Sequence, residues 1–513
     1  MDAQRSQPFN GLAVNWPVWP ATRSRPSPSV AFCLGLSALA VVGGGLFFHD
    51  LGRRGVWSAH EGRAGQNAQT ILDDGCWGLP RLFDGHPELQ KPPMYYWLVA
   101  ASAWLRGGRV EAWDIRVPAA LAGWLGVVGL ALLGWRLGRP VAGLAAASTL
   151  ASMVHYTWLA RVGRIDMPLT LVVGVTIAAG YLGQWTRDDR WLILAFVAVA
   201  AAIMLKGPIG AVLPGVVLAA VALAERRPIF GRSLLWGVPL VLALVLPWYV
   251  WVGLQTEGAF YRVFVWYHNV ERGLLPSEGL AARPWWFYGP RLLVDMLPWS
   301  PLLVAAGWYW FRCGRWRDDA LARLGFVWMV SVVAFLSLMR FKRADYLLPA
   351  YPGAALWMGS TLEAWSRASR RPAGWVWGVA VVLVGALLGW QVYEGHILPQ
   401  REPLRDQRPF AEAIRRLAPA PTEILFFRAE AHDLAFYLGR RQNTFLEWEN
   451  LDVWAGRPGR YYIVMPPACA AEWGRHVASG RLVEVLRNTD LAGGRHERPL
   501  VLMRTEPHRR EQP

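Results

Sequence analysis

The chain has 513 residues, of which 54% are hydrophobic, 13% aromatic and only 18% charged. Soluble proteins carry about 25% charged residues, so this balance excludes an ordinary water-soluble domain and suits a chain whose surface meets lipid. The formal net charge is +16, but the basic residues stand in short clusters between apolar runs. Such clusters are typical of membrane-topology signals and phosphate contacts, and we expect no nucleic-acid partner.

The apolar runs predict a polytopic α-helical membrane protein. Residues 1–28 are polar, rich in Pro and Arg and without apolar periodicity, which predicts a disordered cytoplasmic arm. A bilayer demands about 20 apolar residues for each crossing. We predict about eleven spans, with an upper limit of thirteen. The eleven runs that approach this length are 30–48, 117–134, 140–160, 167–185, 190–205, 208–224, 234–253, 290–311, 323–340, 345–363 and 374–393.

The stretches between and after these runs divide the chain into domains. A transmembrane domain is predicted over 29–394, with external loops at 49–116 and 254–289. From 395 to 513 the composition turns polar, which predicts a small external α/β domain. Its strand-like runs are Ile424–Phe427, Tyr461–Met465 and Leu500–Met503, and its helical patterns are Phe410–Leu417 and His432–Leu438.

Arginine clusters indicate which side of the membrane each loop occupies. Three clusters between runs, within 226–232, 312–323 and 367–371, are predicted to be cytoplasmic. Helix alternation then places the second long loop, the Lys342 turn and the C-terminal domain outside. Counting from a cytoplasmic N-terminus gives the same result only if the short run 94–105 does not cross. Every candidate functional residue then lies on the external face.

The most informative stretch is 58–98, SAHEGRAGQNAQTILDDGCWGLPRLFDGHPELQKPPMYYWL. It resembles the first external loop of the polyprenyl-phosphate-sugar glycosyltransferases, the bacterial relatives of protein O-mannosyltransferases and of the 4-amino-4-deoxy-L-arabinose transferases that modify lipid A. The matching positions are Glu61, Arg63, Ala68, Trp77, Pro80, Gly85, Lys91, Pro92, Pro93, Tyr96 and Trp97. Weaker matches follow in the family's order: Arg116, Asp166, Lys206, Pro247-Trp248-Tyr249, His268-Asn269, Pro298-Trp299-Ser300, Lys342, Tyr346 and Pro349.

The resemblance implies a GT-C superfold and an inverting glycosyltransferase. Such an enzyme moves a sugar from a polyprenyl-phosphate donor to a lipid, glycan or protein acceptor on the external face of the bacterial inner (cytoplasmic) membrane. The implied partners are the lipid-linked sugar and the bilayer, and the oligomeric state is left open. The alternative is a lipid or sugar transporter or flippase, and a third option is an oligosaccharide ligase. Transporters place ionisable residues near the bilayer midplane, whereas here they border the spans, which favours the enzyme.

Four basic residues are candidates for binding the donor phosphate. Transfer builds negative charge on the departing phosphate, so the site needs fixed cations. Lys91 and Lys342 are the first candidates, followed by Arg63 and Arg116. Lys91 also fits a lysine that extends to the membrane interface, and Arg116 fits an interfacial anchor equally well.

A hydroxyl acceptor also requires a group that takes or orients its proton. Glu61 is the first candidate and Asp166 the second. The family commonly has Asp-Glu where this chain has His60-Glu61, so the imidazole is a third candidate. Two alternatives stay open: Glu61 as an acid that stabilises a helix N-terminus, and Asp166 as an ion-pair partner of Arg161 or Arg164.

Three further residues are predicted to contact the substrate, namely Tyr346, Trp97 and His268, the last with an ordinary loop histidine as its alternative. The sequence shows no His/Asp cluster, and its four cysteines form no C-x-x-C pair, so no metal ligands are predicted. The cofactor is left open, with a divalent metal as one alternative.

Overall fold

A computed structural model describes residues 29–227, 231–271 and 283–507, so the arm predicted over 1–28 lies outside the described residues. Apolar helices dominate the chain up to residue 392: α1 Val30–Phe48, α2 Ala59–Asp74, α3 Met94–Leu105, α4 Ala112–Arg136, α5 Pro140–Ala151, α6 Val154–Ala160, α7 Asp166–Thr186, α8 Asp189–Lys206, α9 Ile209–Glu225, α10 Leu234–Gln255, α11 Tyr288–Asp295, α12 Ser300–Cys313, α13 Ala320–Leu338, α14 Tyr351–Ala368 and α15 Pro372–Val392. A π-helical segment, Tyr261–Glu271, and a 3-10 segment, Ala344–Ala350, lie between them.

All eleven apolar runs fall on helical segments, which confirms a polytopic helical membrane fold. Among the described residues six helices are long and apolar enough to cross a membrane, or seven if a pair bent by 112° at 296–299 is one span. The predicted run 140–160 is broken between α5 and α6, and α8 carries charges at both ends. The count of about eleven spans therefore stays a prediction. Helix α3 has 12 residues, which rise about 18 Å against a hydrocarbon core of about 30 Å, in agreement with a segment that does not cross.

The ends of several helices meet at one end of the bundle. Only Arg187 and Asp188 join α7 to α8, so the start of α7 lies beside the end of α8. Helix α13 ends nearby, and Trp328 within it donates its indole N–H to the carbonyl of Pro349 at 2.8 Å, which fixes the 3-10 segment against the bundle. This convergence creates the pocket described below.

The C-terminal region is an α/β domain, as predicted. Its strands are β1 Ile424–Phe427, β2 Gln442–Phe445, β3 Tyr462–Met465, β4 Gly480–Arg487 and β5 Val501–Pro507. They form one sheet of order β2-β1-β3-β5-β4, in which β1 is parallel to β2 and β3, and β5 is antiparallel to β3 and β4. The helices in this region are α16 Leu398–Arg401, α17 Arg408–Leu417, α18 His432–Leu438, α19 Trp448–Gly456, α20 Pro467–Glu472 and α21 Asn488–Leu491. The boundary predicted at 395 falls inside a helical run that extends α15 to Leu404.

The α/β domain rests directly on α2, the helix of the first loop. The side-chain amide of Gln66 donates to the carbonyl of His432 at 3.0 Å, and the Val56 N–H donates to the Tyr437 hydroxyl at 2.5 Å. At Gly62 an added Cβ would lie 2.4 Å from the same His432 carbonyl oxygen, a distance that side chains do not tolerate. The first loop and the C-terminal domain therefore lie on the same side of the bundle, in agreement with the predicted sidedness.

Candidate active site

A pocket of about 190 Å³ opens where the helix ends converge. It lies between the starts of α7 and α9, the end of α8, the π-helical segment and the 3-10 segment. Its polar side chains come from five separate stretches of sequence: Gln90, Lys91, Asp166, Lys206, His268, Asn269, Asp345 and Tyr346. Its apolar wall is formed by Leu169, Ile209, Leu213, Phe264, Leu336, Met339, Phe341 and Pro349. Four predicted site residues, Lys91, Asp166, Tyr346 and His268, therefore share one pocket.

Asp166 and Lys206 form the fixed ion pair of this pocket. The Lys206 ammonium lies 2.6 Å from Asp166 Oδ1 and 4.4 Å from the centre of the Tyr346 ring. Gly207 makes the turn that follows α8, with φ at +75°, and a Cβ there would lie 2.4 Å from the Phe264 ring. Glycine is thus required both for the backbone conformation and for the close approach of the π-helical segment.

Lys91 differs from Lys206 because it has no close acidic partner. It is half-buried, and among the described residues it makes no hydrogen bond and no ion pair within 4.0 Å. Burial, together with the positive charges of Lys206 and Arg164, lowers the pKa of Lys91 to about 8, although Asp166 and Glu88 oppose the shift. The ammonium is therefore still charged at neutral pH and lines the pocket without a counter-ion.

His60 stands near these charges but does not line the pocket. Burial, and then the positive charges of Lys91, Arg164 and Arg343, lower the pKa of His60 to about 2. The imidazole is consequently neutral at physiological pH. His60 therefore adds no further positive charge to the site. Its low pKa and its position outside the pocket lining do not support the predicted role of His60 as a base.

Glu61 and Arg116 belong to a buried cluster behind the pocket, which disagrees with their predicted roles. Glu61 is fully buried and accepts from Arg116 Nε at 2.8 Å, from Arg54 at 3.2 Å and from the Gly163 N–H at 3.0 Å. Although burial alone would raise the pKa of Glu61, Arg116 and Arg54 hold it well below its ordinary value. Such an acid is a weak proton acceptor with no access to substrate.

The remaining nitrogens of Arg116 are also occupied. Its two terminal nitrogens donate to the carbonyl oxygens of Leu51, Arg54 and Gly55 at 2.7–2.9 Å. Arg116 therefore ties the end of α1 to the first loop and does not face a phosphate. The Ser58 hydroxyl accepts the Glu61 N–H at 3.1 Å at the start of α2, so the alternative of Glu61 as a helix N-terminal acid is the better interpretation.

Three more predicted residues have structural contacts outside the pocket. Arg63 pairs with the buried Glu88 at 2.9 Å, which holds the segment that leads to Lys91. Lys342 is buried and donates to the carbonyl oxygens of Arg283 and Met339, and it is not among the residues that line the pocket. Trp97 donates its indole N–H to the Trp77 carbonyl at 2.7 Å and thereby braces the first loop. None of these placements supports direct contact with a substrate.

Asp345 is the pocket residue that sequence reasoning missed. Its Oδ2 lies 2.6 Å from Arg164 and 3.2 Å from Arg343, and it lines the cavity beside Tyr346. The available signal was a single acid within the basic turn FKRAD, next to a position that the family resemblance had already marked.

Across residues 29–227, 231–271 and 283–507, no group of three His, Cys, Asp or Glu side chains is arranged to hold a metal ion. The charged residues that line the pocket are Lys91, Lys206, Asp166 and Asp345. Asp166 and Asp345 have basic partners at 2.6 Å, which leaves Lys91 available to an anionic ligand.

Comparisons with known proteins find similarity over part of the chain. Residues 90–251 match the family model described as dolichyl-phosphate-mannose-protein mannosyltransferase. The matched region includes Lys91, Asp166 and Lys206 and ends within α10.

Curated relatives are similar over a longer region. The chain is 31% identical over 322 residues to undecaprenyl phosphate-alpha-4-amino-4-deoxy-L-arabinose arabinosyl transferase 1 of Pseudomonas fluorescens strain Pf0-1, a match that covers 61% of this chain and 54% of that protein. It is also 31% identical over 338 residues to the arabinosyl transferase of Pseudomonas aeruginosa strain LESB58, covering 63% of this chain and 59% of the relative. The chain thus spans between 54% and 59% of the length of these relatives.

Two solved structures show the fold. ArnT from Cupriavidus metallidurans, crystallised with undecaprenyl phosphate, superposes with a TM-score of 0.74 at 19% identity, covering 93% of this chain and 98% of that one. The oligosaccharyltransferase of Archaeoglobus fulgidus superposes with a TM-score of 0.54 at 12% identity, covering 86% and 71% respectively. The superposition with ArnT includes the C-terminal domain because it extends over nearly the whole chain.

Proposed function

We propose that this chain, which is similar in sequence to curated arabinosyl transferases and in fold to ArnT, transfers a sugar from a polyprenyl-phosphate donor to a lipid, glycan or protein acceptor. The site lies on the external face of the membrane, which in a bacterium is the periplasmic face of the inner membrane. The names of the curated relatives favour a transferase over the alternative of a transporter.

Lys91 is the single observation that carries the proposal. A half-buried ammonium without a counter-ion is costly unless a ligand supplies the negative charge. Lys91 is such a cation, and it lines a pocket whose opposite wall is apolar. A lipid phosphate has both required parts, an anion and an apolar chain.

Transfer with inversion needs a single displacement at the anomeric carbon of the sugar. The bond from that carbon to the phosphate oxygen breaks as the acceptor oxygen attacks, and the phosphate departs with increased negative charge. Lys91 opposes that charge directly. Lys206 adds a second cation, which Asp166 holds in place at 2.6 Å. Preorganised charges of this kind lower the barrier because they need no rearrangement during the reaction.

The relatives' names supply the first sugar to test, 4-amino-4-deoxy-L-arabinose on undecaprenyl phosphate. Purified full-length chain in lipid nanodiscs would be incubated with this donor and with neutral hexose donors on the same lipid, and release of undecaprenyl phosphate would be followed with a lipid, a glycan or a peptide acceptor. We expect undecaprenyl phosphate to be released from one of these donors, and only when a suitable acceptor is present. If no donor is consumed under any pairing while the protein stays folded, the proposed function is wrong.

A further inference from the structure

A second cavity, separate from the active-site pocket, lies between α4, α7, α8 and α13. Its volume is about 320 Å³, its lining is mostly apolar, and we call it the cleft. No described residue lines both the cleft and the pocket. Three leucines at the edge of the cleft are between 37% and 42% exposed, so the cleft opens sideways towards the bilayer: Leu125, Leu132 and Leu194.

The cleft occupies the half of the bundle that lies away from the active-site pocket. Arg116, in the cluster behind the pocket, is near the start of the 25-residue helix α4, and Arg136 is its last residue. The two are about 30 Å apart along the helix, which is about the thickness of the hydrocarbon core. Arg136 therefore lies at the opposite membrane interface. Along α4 the cleft runs from Leu125 to Arg136, about 17 Å, which is close to the depth of one lipid leaflet.

Arg136 lies at the mouth of the cleft and has no acidic partner. Its guanidinium carbon is 5.2 Å from the centre of the Trp135 ring and 5.5 Å from that of Trp191. Within the part of the chain that the structure describes, Arg136 makes no hydrogen bond and no ion pair. The next arginine differs, because Arg139 pairs with Asp319 at 2.7 Å. The two indoles attract the charge of Arg136 but leave its N–H donors available to a ligand.

An interfacial anchor would account for Arg136 alone, because arginine and tryptophan are common at the ends of spanning helices. It would not account for the cleft, since closely packed helices leave few voids larger than a water molecule. Gly129, on the cleft side of α4, shows how much space there is: an added Cβ would have no neighbouring atom within 4 Å. A ligand with an anionic head and an apolar chain accounts for the cation and the space together.

We propose that the cleft binds one anionic phospholipid from the leaflet opposite the active-site pocket, with its phosphate on Arg136 and an acyl chain along Leu132, Gly129 and Leu125. A guanidinium binds a phosphate through two parallel hydrogen bonds. A zwitterionic lipid already carries an ammonium beside its phosphate, whereas an anionic lipid brings the net negative charge that Arg136 lacks. This binding site is independent of the proposed sugar transfer, and its test needs no enzyme assay.

The test identifies the lipid that lies in the cleft. A photoreactive benzophenone amino acid would replace Leu132, which lines the cleft one turn before Arg136. In a second protein it would replace Leu388, which is 60% exposed on α15 and does not line the cleft. The purified full-length chain would be irradiated in nanodiscs with equal amounts of phosphatidylglycerol and phosphatidylcholine, and the mass of the linked lipid would show which of the two was captured.

Two variants remove the two features that define the site, and each has a matched control. Arg136→Gln removes the cation, and its control is Arg370→Gln, an exposed arginine that follows α14 at the same end of the bundle. Gly129→Leu fills the cleft, and its control is Gly385→Leu, since the space around Gly385 on α15 is also open.

We expect phosphatidylglycerol to exceed phosphatidylcholine roughly fivefold among the lipids linked at Leu132, as the attraction of one basic residue for an anionic lipid implies, and to equal it at Leu388. The excess should disappear in Arg136→Gln and Gly129→Leu and persist in both controls. If Gly129→Leu does not fold, the comparison of Arg136→Gln with Arg370→Gln decides the matter. Equal capture of the two lipids at Leu132, or an excess that Arg136→Gln leaves intact or that Arg370→Gln also removes, would overturn the proposal.

Discussion

Lys91 is the residue on which the proposed donor site depends most. Lys91→Ala should lower the affinity for undecaprenyl phosphate at least tenfold, because the variant lacks the one pocket lysine that is not already paired with a carboxylate among the described residues. Insertion into the membrane should be unchanged. Equilibrium binding to the purified protein measures this. Arg81→Ala is the control, since Arg81 is an exposed basic residue of the same loop. Equal affinities of the Lys91 and Arg81 variants would show that Lys91 serves only as an interfacial anchor.

The lowered pKa of Lys91, about 8, makes the binding of lipid phosphate sensitive to alkaline pH. Between about pH 6, where a phosphate monoester takes up its second proton, and that value, both charges are present and binding should be nearly constant. Above it the ammonium loses its charge and the affinity should fall. Lys91→Arg keeps its charge throughout this range because a guanidinium stays protonated. We therefore expect the alkaline loss of affinity to disappear in this variant. A loss that persists unchanged would assign the titration to another group.

Glu61 should affect stability more than chemistry. Glu61→Gln leaves Arg116 and Arg54 in a buried place without their counter-charge, a change that typically costs about 3–5 kcal/mol. We expect a lower melting temperature in nanodiscs and a loss of activity that follows the folded fraction. A variant that melts normally but has lost kcat would restore Glu61 as the base.

The sequence identified the pocket better than it identified the roles within it. Lys91, Asp166, Tyr346 and His268 were recognised from motifs, and all four line the cavity. Glu61 and Arg63 stand in the same kind of motif, but a sequence pattern does not separate a charge that faces a ligand from one that pairs with a buried neighbour 25 or more positions away.

At the scale of elements, the tight contact of α2 with α18 has a direct test. Gly62→Ala places a methyl group against the His432 backbone, so the C-terminal domain must move away from α2. We expect faster proteolysis of the α/β domain and activity lowered at least tenfold. Gly44→Ala is the control because the space around Gly44, on α1, is open. Identical proteolysis of both variants would contradict a close fit at α2.

The sequence predicted the central strands of the C-terminal sheet but not its edge strands. The three strands recognised in the sequence, β1, β3 and β5, are central in the sheet, and each has a buried apolar run. The two that were missed, β2 and β4, form its edges. An edge strand has one neighbour and tolerates polar residues, and β2, with the sequence QNTF, lacks a hydrophobic signal for this reason. Strand β4, with the sequence GRLVEVLR, does contain apolar residues that indicate a strand.

At the scale of the whole molecule, the predicted sidedness places the C-terminal domain outside and the loop between α14 and α15 inside. Arg475 and Arg370 are exposed at these two places. In intact cells, a membrane-impermeant thiol reagent should label Arg475→Cys, whereas Arg370→Cys should react only after permeabilisation. The native cysteines would first be replaced by serine. The reverse pattern would overturn the layout and move the pocket to the cytoplasmic face.

The contact between the first loop and the C-terminal domain also determines the order in which the protein matures. Gln66 and Val56 are hydrogen-bonded to His432 and Tyr437, which follow them by 366 and 381 positions. Helix α2 therefore gains this partner only after α18 has been synthesised. Until then α2, the helix that carries His60, lies outside the membrane without contact to the C-terminal domain, while the later spans are still being inserted. The contact between α2 and α18 therefore forms late, after the spans up to α15 have been synthesised. A nascent chain arrested before residue 424 should be inserted normally yet remain inactive until the last strands are released.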